Sequence, residues 1–244
     1  MHPNPEEKPL IDWLQGMEKF IGPHRIEELI EYPETRTEHL INANWKIVVE
    51  NYIDGYHLAH LHSATLFMYE HQQQITGFEG PHFRFYEPLT SDYISNLDQM
   101  SPYPLINHFS DEQPMGAYVP ILFPNLGISA TESSWSIFHV IPVTPDRCKV
   151  VTRTRLADTS EWKLQQQQRR SNKFFAKRSA KYKKSQTPDD PMLSGDFMAE
   201  DVYVCEQQQK SLNSPLFAVG ATAKYQEAAV GQYQLQIMKQ LRSV

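Results

Sequence analysis

Two histidines in one short stretch are the residues whose type and spacing point most directly to chemistry. His57 and His62 lie five positions apart, Asp54 precedes the first by three residues, and Asn51 precedes Asp54 by three. Neutral imidazole binds iron, zinc and copper, and two histidines with a distant carboxylate form a facial triad that leaves coordination positions open. The stretch therefore suggests two ligands of a metal site whose third ligand comes from elsewhere in the chain.

The spacing of these residues also predicts the local backbone. At about 100° per residue the four side chains span an arc of roughly 140°, and apolar neighbours fall on the other side, as on an amphipathic helix. Histidines four apart face one way on a regular helix, as in the zinc signature HExxH, whereas histidines five apart diverge. We therefore expect a π-bulge or a break near residues 55–58, because such distortions often occur at functional sites.

The sequence around the histidines resembles a known signature. From residue 44 to residue 62 it reads Asn-Trp-Lys, then Glu-Asn, then Asp-x-x-His-x-x-x-x-His. This is similar to the iron-binding motif in the catalytic domain of Rieske-type non-haem iron oxygenases, the ring-hydroxylating alpha-subunit family. The resemblance implies that His57 and His62 are iron ligands. It also implies that Asp54 bridges a neighbouring subunit's Rieske cluster to the iron, and that Asn51 lies close to the metal.

The third iron ligand that the resemblance implies is Asp201. Residues 197–209 have the pattern of a helix start and are similar to the family segment in which an aspartate completes the triad. Glu200 is adjacent, but on a helix it points about 100° away. Glu206 corresponds to a position that is not a ligand in the family, and His60 has no family role. We therefore leave these three residues out of the predicted site.

The cysteine count determines which cofactors the chain itself can hold. A Rieske 2Fe-2S cluster needs two cysteines and two histidines, which the family carries as Cys-x-His and Cys-x-x-His pairs ahead of the catalytic domain. Cys148 and Cys205 are the only cysteines, and neither belongs to such a pair. We expect the cluster on a missing domain or on a partner. We interpret residues 1–9 as a linker remnant and residues 10–244 as the catalytic domain, in a truncated chain, an internally started chain or a split-gene product.

Length and charge exclude other functional classes. A chain of 244 residues with a net charge of −6 can bury the core of a single large α+β domain, and its negative charge argues against nucleic acid as the main partner. No apolar run approaches the roughly 20 residues that span a bilayer, and the first residues have no signal-peptide character. Two cysteines are too few for a disulfide framework. We expect a cytoplasmic protein.

The remaining segments predict a helix-grip (START/Bet v1-like) fold, in which a curved antiparallel sheet surrounds a long helix and a ligand cavity. Residues 10–20 have helical periodicity, and residues 25–42 suggest a short helix followed by a strand. Alternation at residues 82–86 indicates a strand, and the β-rich runs within residues 115–156 indicate an antiparallel meander. Residues 92–113 are predicted to form an irregular loop, with a lid over the site as one interpretation.

Two further helices are predicted, at residues 161–185 and 227–241. The first contains a basic run consisting of Arg169, Arg170, Lys173, Lys177, Arg178, Lys181, Lys183 and Lys184. One interpretation is a solvated helix face. The other is docking of an acidic redox partner by electrostatic steering, which would make turnover depend on salt.

The resemblance implies a mechanism and a set of partners. Fe(II) would bind dioxygen beside an organic substrate, and electrons would arrive from a Rieske cluster through Asp54, ultimately from NAD(P)H through a ferredoxin or reductase. The product would be hydroxylated or oxidatively demethylated. Aromatic residues near the site suit an aromatic substrate and would equally surround a quaternary ammonium group. The family forms head-to-tail trimers, so a homotrimer is one expectation. Alone, the chain is predicted to bind iron without turning over.

Two other functional classes are compatible with these residues. A binding module for a hydrophobic ligand could use the same fold with degenerate histidines. A zinc hydrolase could use two histidines and an aspartate, although no glutamate occupies the general-base position of HExxH sites. Stoichiometric iron in the purified protein distinguishes the oxygenase from both alternatives.

Overall fold

An antiparallel sheet forms the framework of the molecule. The computed structural model describes residues 9–14, 16–107, 115–182, 190–225 and 227–242. Within them the strands are β1 (Ile30–Glu31), β2 (Thr37–Ile41), β3 (Ile75–Glu79), β4 (His82–Pro88), β5 (Gly116–Tyr118), β6 (Ile121–Leu122), β7 (Leu126–Ala130), β8 (Trp135–Thr144) and β9 (Arg147–Leu156). Their order is β1-β9-β8-β7-β5-β4-β3, with β2 beside β9 and β6 beside β4 and β7. The meander predicted for residues 115–156 is thus confirmed.

The helices differ widely in length. They are α1 (Leu10–Trp13), α2 (Trp45–Ile53), α3 (Leu58–Leu61), α4 (Ser91–Ile94), α5 (Leu97–Met100), α6 (Glu161–Tyr182), α7 (Phe197–Leu212) and α8 (Ala228–Arg242). Short 3-10 turns occur at Met17–Lys19, Ile26–Glu28, Pro33–Thr35, His71–Gln73 and Pro191–Leu193. None of the helices described here is long and apolar enough to cross a membrane.

The main hydrophobic core lies between the sheet and three of the helices. Val49 and Ile53 of α2 pack with Cys205 of α7 and with Tyr233 of α8. Successive side chains of β4 point to opposite faces of the sheet. Phe83 and Phe85 therefore lie on the same face and enter the same cluster. This packing of α2, α7 and α8 against an antiparallel sheet is that of the predicted helix-grip fold.

A second hydrophobic cluster anchors the segment that follows α3. Met68 packs there with Leu89, with Tyr93 of α4, with Leu97 of α5 and with Phe175 of α6. This cluster fixes the chain a few residues beyond the second histidine of the motif. Phe67 and Tyr69 pack against the same cluster.

The predicted N-terminal helix over residues 10–20 is wrong beyond its first turn. The helix ends at Trp13, and Gly16 adopts a left-handed backbone with φ of 94° before the 3-10 turn at Met17–Lys19. Leu10 and Ile11 are 69% and 77% exposed. The first residues of the periodic pattern thus gain little from packing, and packing is what normally stabilises a short helix.

The predicted loop over residues 92–113 is also wrong in its first part, which forms the end of α4 and all of α5. Thr90 caps α4 by accepting a hydrogen bond from Tyr93 N, and Tyr93 itself is buried. Residues 108–114 lie outside the described residues, as do residues 1–8 of the proposed linker and residues 183–185 of the predicted basic helix. The helix after residue 161 and the helix after residue 227 are confirmed as α6 and α8.

Candidate metal centre

The helix that carries the histidine motif is interrupted, as the sequence predicted. α2 ends at Ile53 and α3 begins at Leu58, so the break covers residues 54–57. Asp54 leaves the helix with an extended backbone, and its Oδ1 accepts a hydrogen bond from Tyr56 N at 2.9 Å. Because the helix does not continue, the five-residue spacing no longer sends the two imidazoles to different sides.

The break brings the two imidazole rings together. The ring centroids of His57 and His62 are 5.1 Å apart, and the ring planes are 71° from parallel. His60 points elsewhere, because its ring lies against Tyr56 with centroids 5.4 Å apart and the residue is exposed. The structure therefore pairs the two predicted histidines and leaves the third outside, as the sequence analysis expected.

Helix α7 delivers the carboxylate to this pair. The Asp196 side chain caps the start of α7 by accepting from Met198 N at 2.9 Å. Further along the helix, Glu206 Oε1 accepts from the backbone N–H of Asn42 at 3.0 Å, which ties α7 to the chain just before α2. The Asp196 cap sets where α7 begins, and Asp201 follows it by five residues on the helix. Glu206 serves this packing contact and stays outside the candidate site.

The three side chains converge on one point. Asp201 Oδ1 is 3.0 Å from His62 Nε2 and 3.7 Å from His57 Nε2. One ligand atom from each residue lies within 4.8 Å of the others. Bonds from histidine and carboxylate to a zinc-like divalent ion are about 2.0–2.2 Å, so two ligands on neighbouring sides of one ion are about 3–4 Å apart, as Asp201 Oδ1 is from each imidazole. The donor types and the two contacts to Asp201 thus fit a shared ion bound by two nitrogens and one oxygen.

Asn51 and Asp54 each contact a different residue of this group. Asn51 Nδ2 donates to Asp201 Oδ1 at 2.9 Å, so it holds the carboxylate rather than a histidine. Asp54 Oδ2 is 3.3 Å from His57 Nδ1, which makes no hydrogen bond within the described residues. The side chain of Asp54 is 20% exposed. Asp54 is therefore next to a candidate ligand and partly accessible to solvent.

His62 is fully buried between two carboxylates. Its Nδ1 is 2.7 Å from Glu200 Oε2, on the side of the ring away from Asp201, and Glu200 Oε2 also accepts from Thr65 Oγ1 at 2.7 Å. Burial acts to lower the pKa of His62, but the hydrogen bonds to Asp201 and Glu200 outweigh it and raise that pKa to about 9. The carboxylates around this imidazole favour a positive charge, and a bound cation would experience the same attraction.

Sequence reasoning missed the position of Glu200. It considered this residue only as a competing ligand and set it aside because adjacent helical residues diverge. The two adjacent side chains do point in different directions: Asp201 contacts Nε2 of His62, whereas Glu200 contacts Nδ1 of the same ring. The available signal was two consecutive carboxylates at the start of one helix together with a threonine three residues after His62.

A family model confirms the resemblance on which the sequence analysis relied. The model for the ring hydroxylating alpha subunit, catalytic domain, matches residues 24–243. The chain belongs to this family. Catalytic domains of Rieske oxygenases use mononuclear iron, and the cluster of two histidines and one aspartate is a candidate site for it.

Two curated relatives in this family are plant enzymes. The choline monooxygenases of Atriplex hortensis and Amaranthus tricolor, both named as chloroplastic, are each 20% identical to this chain over 210 residues. The alignment covers 86% of this chain and 40% of each relative. The chain thus spans about two fifths of the length of the curated relatives it matches.

Solved structures of Rieske oxygenases share the fold. A quaternary ammonium Rieske monooxygenase, studied for carnitine oxidation by gut microbiota, superposes with a TM-score of 0.70 at 14% identity, covering 97% of this chain and 57% of the other. Naphthalene 1,2-dioxygenase from Rhodococcus sp. superposes with a TM-score of 0.60 at 13% identity, covering 96% and 63%. The helix-grip architecture is therefore that of Rieske oxygenase catalytic domains.

Proposed function

We propose that this chain is the catalytic domain of a Rieske-type oxygenase that uses mononuclear Fe(II) and O2 to hydroxylate or oxidatively demethylate a small organic substrate. The observation that carries the proposal is the convergence of His57, His62 and Asp201 on one point. Membership of the ring-hydroxylating family and the shared fold support it.

Each residue of the proposed centre has a distinct task. Fe(II), when bound by two imidazole nitrogens and one carboxylate, would supply open positions for activating dioxygen beside the substrate. Asn51 restrains Asp201 by donating to Oδ1. Asp54 lies beside His57 at the partly exposed edge of the site, which suits a bridge to a Rieske cluster on another domain or subunit. In this proposal the electrons come ultimately from NAD(P)H through a ferredoxin or reductase.

Two substrate classes belong to the proposal. The names of the plant relatives and of the carnitine-oxidising neighbour favour a quaternary ammonium compound. The naphthalene dioxygenase neighbour favours an aromatic ring. Side-by-side assays with choline-like and aromatic compounds, supplied with a Rieske partner and a reductase, distinguish the two classes.

The partners remain predictions from the sequence. Within α6 the basic side chains of Arg169, Arg170, Lys173, Lys177 and Lys181 are exposed, so this face is accessible to an acidic redox partner. Arg178 instead lies over the ring of Phe67, 3.6 Å from its centroid, and takes part in packing. A homotrimeric assembly, a cytoplasmic location and inactivity of the chain alone likewise stay predictions.

Metal analysis tests the proposed function directly. After anaerobic reconstitution with Fe(II) and removal of loose metal, we expect one iron per chain in the wild type. We expect none in His57→Ala or His62→Ala, because each variant loses one nitrogen ligand. His60→Ala is the matched control and should retain iron. A wild-type protein that binds no iron, or that binds zinc in preference and hydrolyses substrate, would exclude the oxygenase.

Asp54 tests the proposed electron path separately. Asp54→Ala should retain iron, because Asp54 is not one of the three converging residues. In an assembled system with Rieske partner, reductase and NAD(P)H, the same variant should lose turnover by orders of magnitude. Full activity of Asp54→Ala in that system would show that the bridging role is wrong while leaving the iron site intact.

A further inference from the structure

Two consecutive residues of α7 contact the opposite nitrogens of one imidazole. Glu200 Oε2 is 2.7 Å from His62 Nδ1, and Asp201 Oδ1 is 3.0 Å from His62 Nε2. Neighbouring side chains on a helix point about 100° apart, so one helical turn can reach both edges of a ring that lies between them. The imidazole therefore separates Glu200 from the point on which the three candidate ligands converge.

The contact between Glu200 and His62 lies in the protein interior. Both residues are 0% exposed, and Thr65 is 2% exposed. Thr65 Oγ1 donates to Glu200 Oε2 at 2.7 Å, and Thr65 N donates to the carbonyl of His62 at 3.0 Å, so the hydroxyl belongs to the same turn as the histidine. Glu200 Oε1 makes no hydrogen bond within the described residues. This carboxylate is thus directed at His62 and Thr65.

A purely structural role does not account for a carboxylate at this position. Removing a charge from water is costly, and well-packed apolar side chains of similar volume often replace buried ion pairs without loss of stability. A histidine that binds a metal, in contrast, almost always donates its other N–H to a carboxylate, a carbonyl or water, which fixes the tautomer and the orientation of the ring.

We propose that Glu200, held by Thr65, is a positioning residue that keeps a proton on His62 Nδ1 when a metal replaces the one on Nε2, so that the lone pair of Nε2 points to the metal. The inference rests on the proposed function, because it assigns a task to the surroundings of one proposed iron ligand. Glu200 acts through His62 and does not itself touch the metal or the substrate. His57 differs, since its Nδ1 faces the partly exposed Asp54 at 3.3 Å without a hydrogen bond of good geometry.

Glu200→Gln tests this role without changing side-chain size. The amide of Gln can donate as well as accept, so it no longer selects the Nδ1–H tautomer. We expect the Fe(II) affinity, measured by competition with a chelator, to fall about 10–100-fold, and the absorption bands of the Co(II)-loaded protein to change. Glu206→Gln is the matched control on the same helix, where the carboxylate contacts Asn42. It should match the wild type in both measurements.

A spectroscopic readout follows the proton itself. In the Zn(II)-loaded, nitrogen-15-labelled protein, the His62 imidazole should show a protonated Nδ1 in a strong hydrogen bond and an unprotonated Nε2. Glu200→Gln should shift or remove the Nδ1–H resonance, whereas Glu206→Gln should not. An unchanged resonance together with unchanged Fe(II) affinity would overturn the proposal.

A second pair of variants covers the case in which Glu200→Gln does not fold. Thr65→Val removes the hydroxyl at nearly equal volume and should lower Fe(II) affinity in the same direction but by less. Thr65→Ser keeps the hydroxyl and should restore affinity. Equal affinity in Thr65→Val, Thr65→Ser and the wild type would overturn the role of Thr65 and Glu200. If the wild type bound no Fe(II), the proposed function itself would fail, which is a different outcome.

Discussion

Two buried histidines of this protein have opposite surroundings. His62 is 0% exposed and His82 is 1% exposed, yet His62 lies between two carboxylates, whereas His82 lies between backbone groups. His82 Nε2 donates to the carbonyl of Trp13 at 2.8 Å, and its Nδ1 accepts from Phe123 N at 3.1 Å. Burial lowers the pKa of His82, whereas the carboxylates raise that of His62. Burial of a histidine alone therefore does not identify a candidate ligand; His62 is distinguished by its contact with Asp201 and by the nearby ring of His57.

The largest expected effect is the loss of both iron and stability when His62 is removed, compared with the loss of iron when His57 is removed. His62→Ala should lose iron and also destabilise the metal-free protein by about 3–5 kcal/mol, because Glu200 is left as an uncompensated buried charge. Metal analysis and urea unfolding in the presence of a chelator measure the two effects. His57→Ala should lose iron with a smaller stability change, since the side chain of His57 is 16% exposed. Equal destabilisation by both variants would contradict this prediction.

The complementary variant should affect stability alone. His82→Ala leaves Trp13 O and Phe123 N without their partner, at a cost of about 1–3 kcal/mol for each buried group left unpaired, and it removes the edge-to-face contact with the Trp13 ring. Iron content should equal that of the wild type. A loss of iron in a folded His82→Ala protein would show that the sheet and the candidate metal centre are coupled, and the contrast between the two histidines would fail.

The smallest expected effect is a pH dependence. The pKa of His82 is lowered from 6.5 in the folded protein, so below about pH 6.5 the unfolded chain binds a proton that the folded chain does not. His82 therefore contributes full stability above that pH and less as the pH falls towards its folded pKa, with a slope of at most about 1.4 kcal/mol per pH unit. Subtracting the unfolding free energies of His82→Gln from those of the wild type isolates this slope. A difference that does not change with pH would contradict it.

The sequence predicted several features of the candidate site because they depend on short-range rules. Histidines five apart cannot share one face of a regular helix, so a break was expected, and it occurs at residues 54–57. Asp201 was found through its similarity to a family segment rather than through local physics, because nothing in the spacing joins residue 201 to residues 57 and 62. The convergence of the three residues agrees with both expectations.

Other features could not be predicted because they depend on packing. Glu200 meets His62 across 138 positions of the chain, and one residue of error in the orientation of α7 would turn this carboxylate away. The N-terminal segment shows that a local pattern can also predict structure that packing does not support. Its periodicity favoured a helix to Phe20, but Leu10 and Ile11 remain exposed, and without a surface to cover the helix stops at Trp13.

The amino-acid sequence by itself pointed to the two histidines, to the break in their helix and to the fold class, because ligand chemistry, helical periodicity and strand alternation are properties of neighbouring residues. The tertiary structure decided which of two adjacent carboxylates faces the candidate metal position and which faces the far side of His62. That choice follows from the packing of α7 against α2 and the sheet, and rigid packing of this kind sets side-chain directions that no local pattern contains.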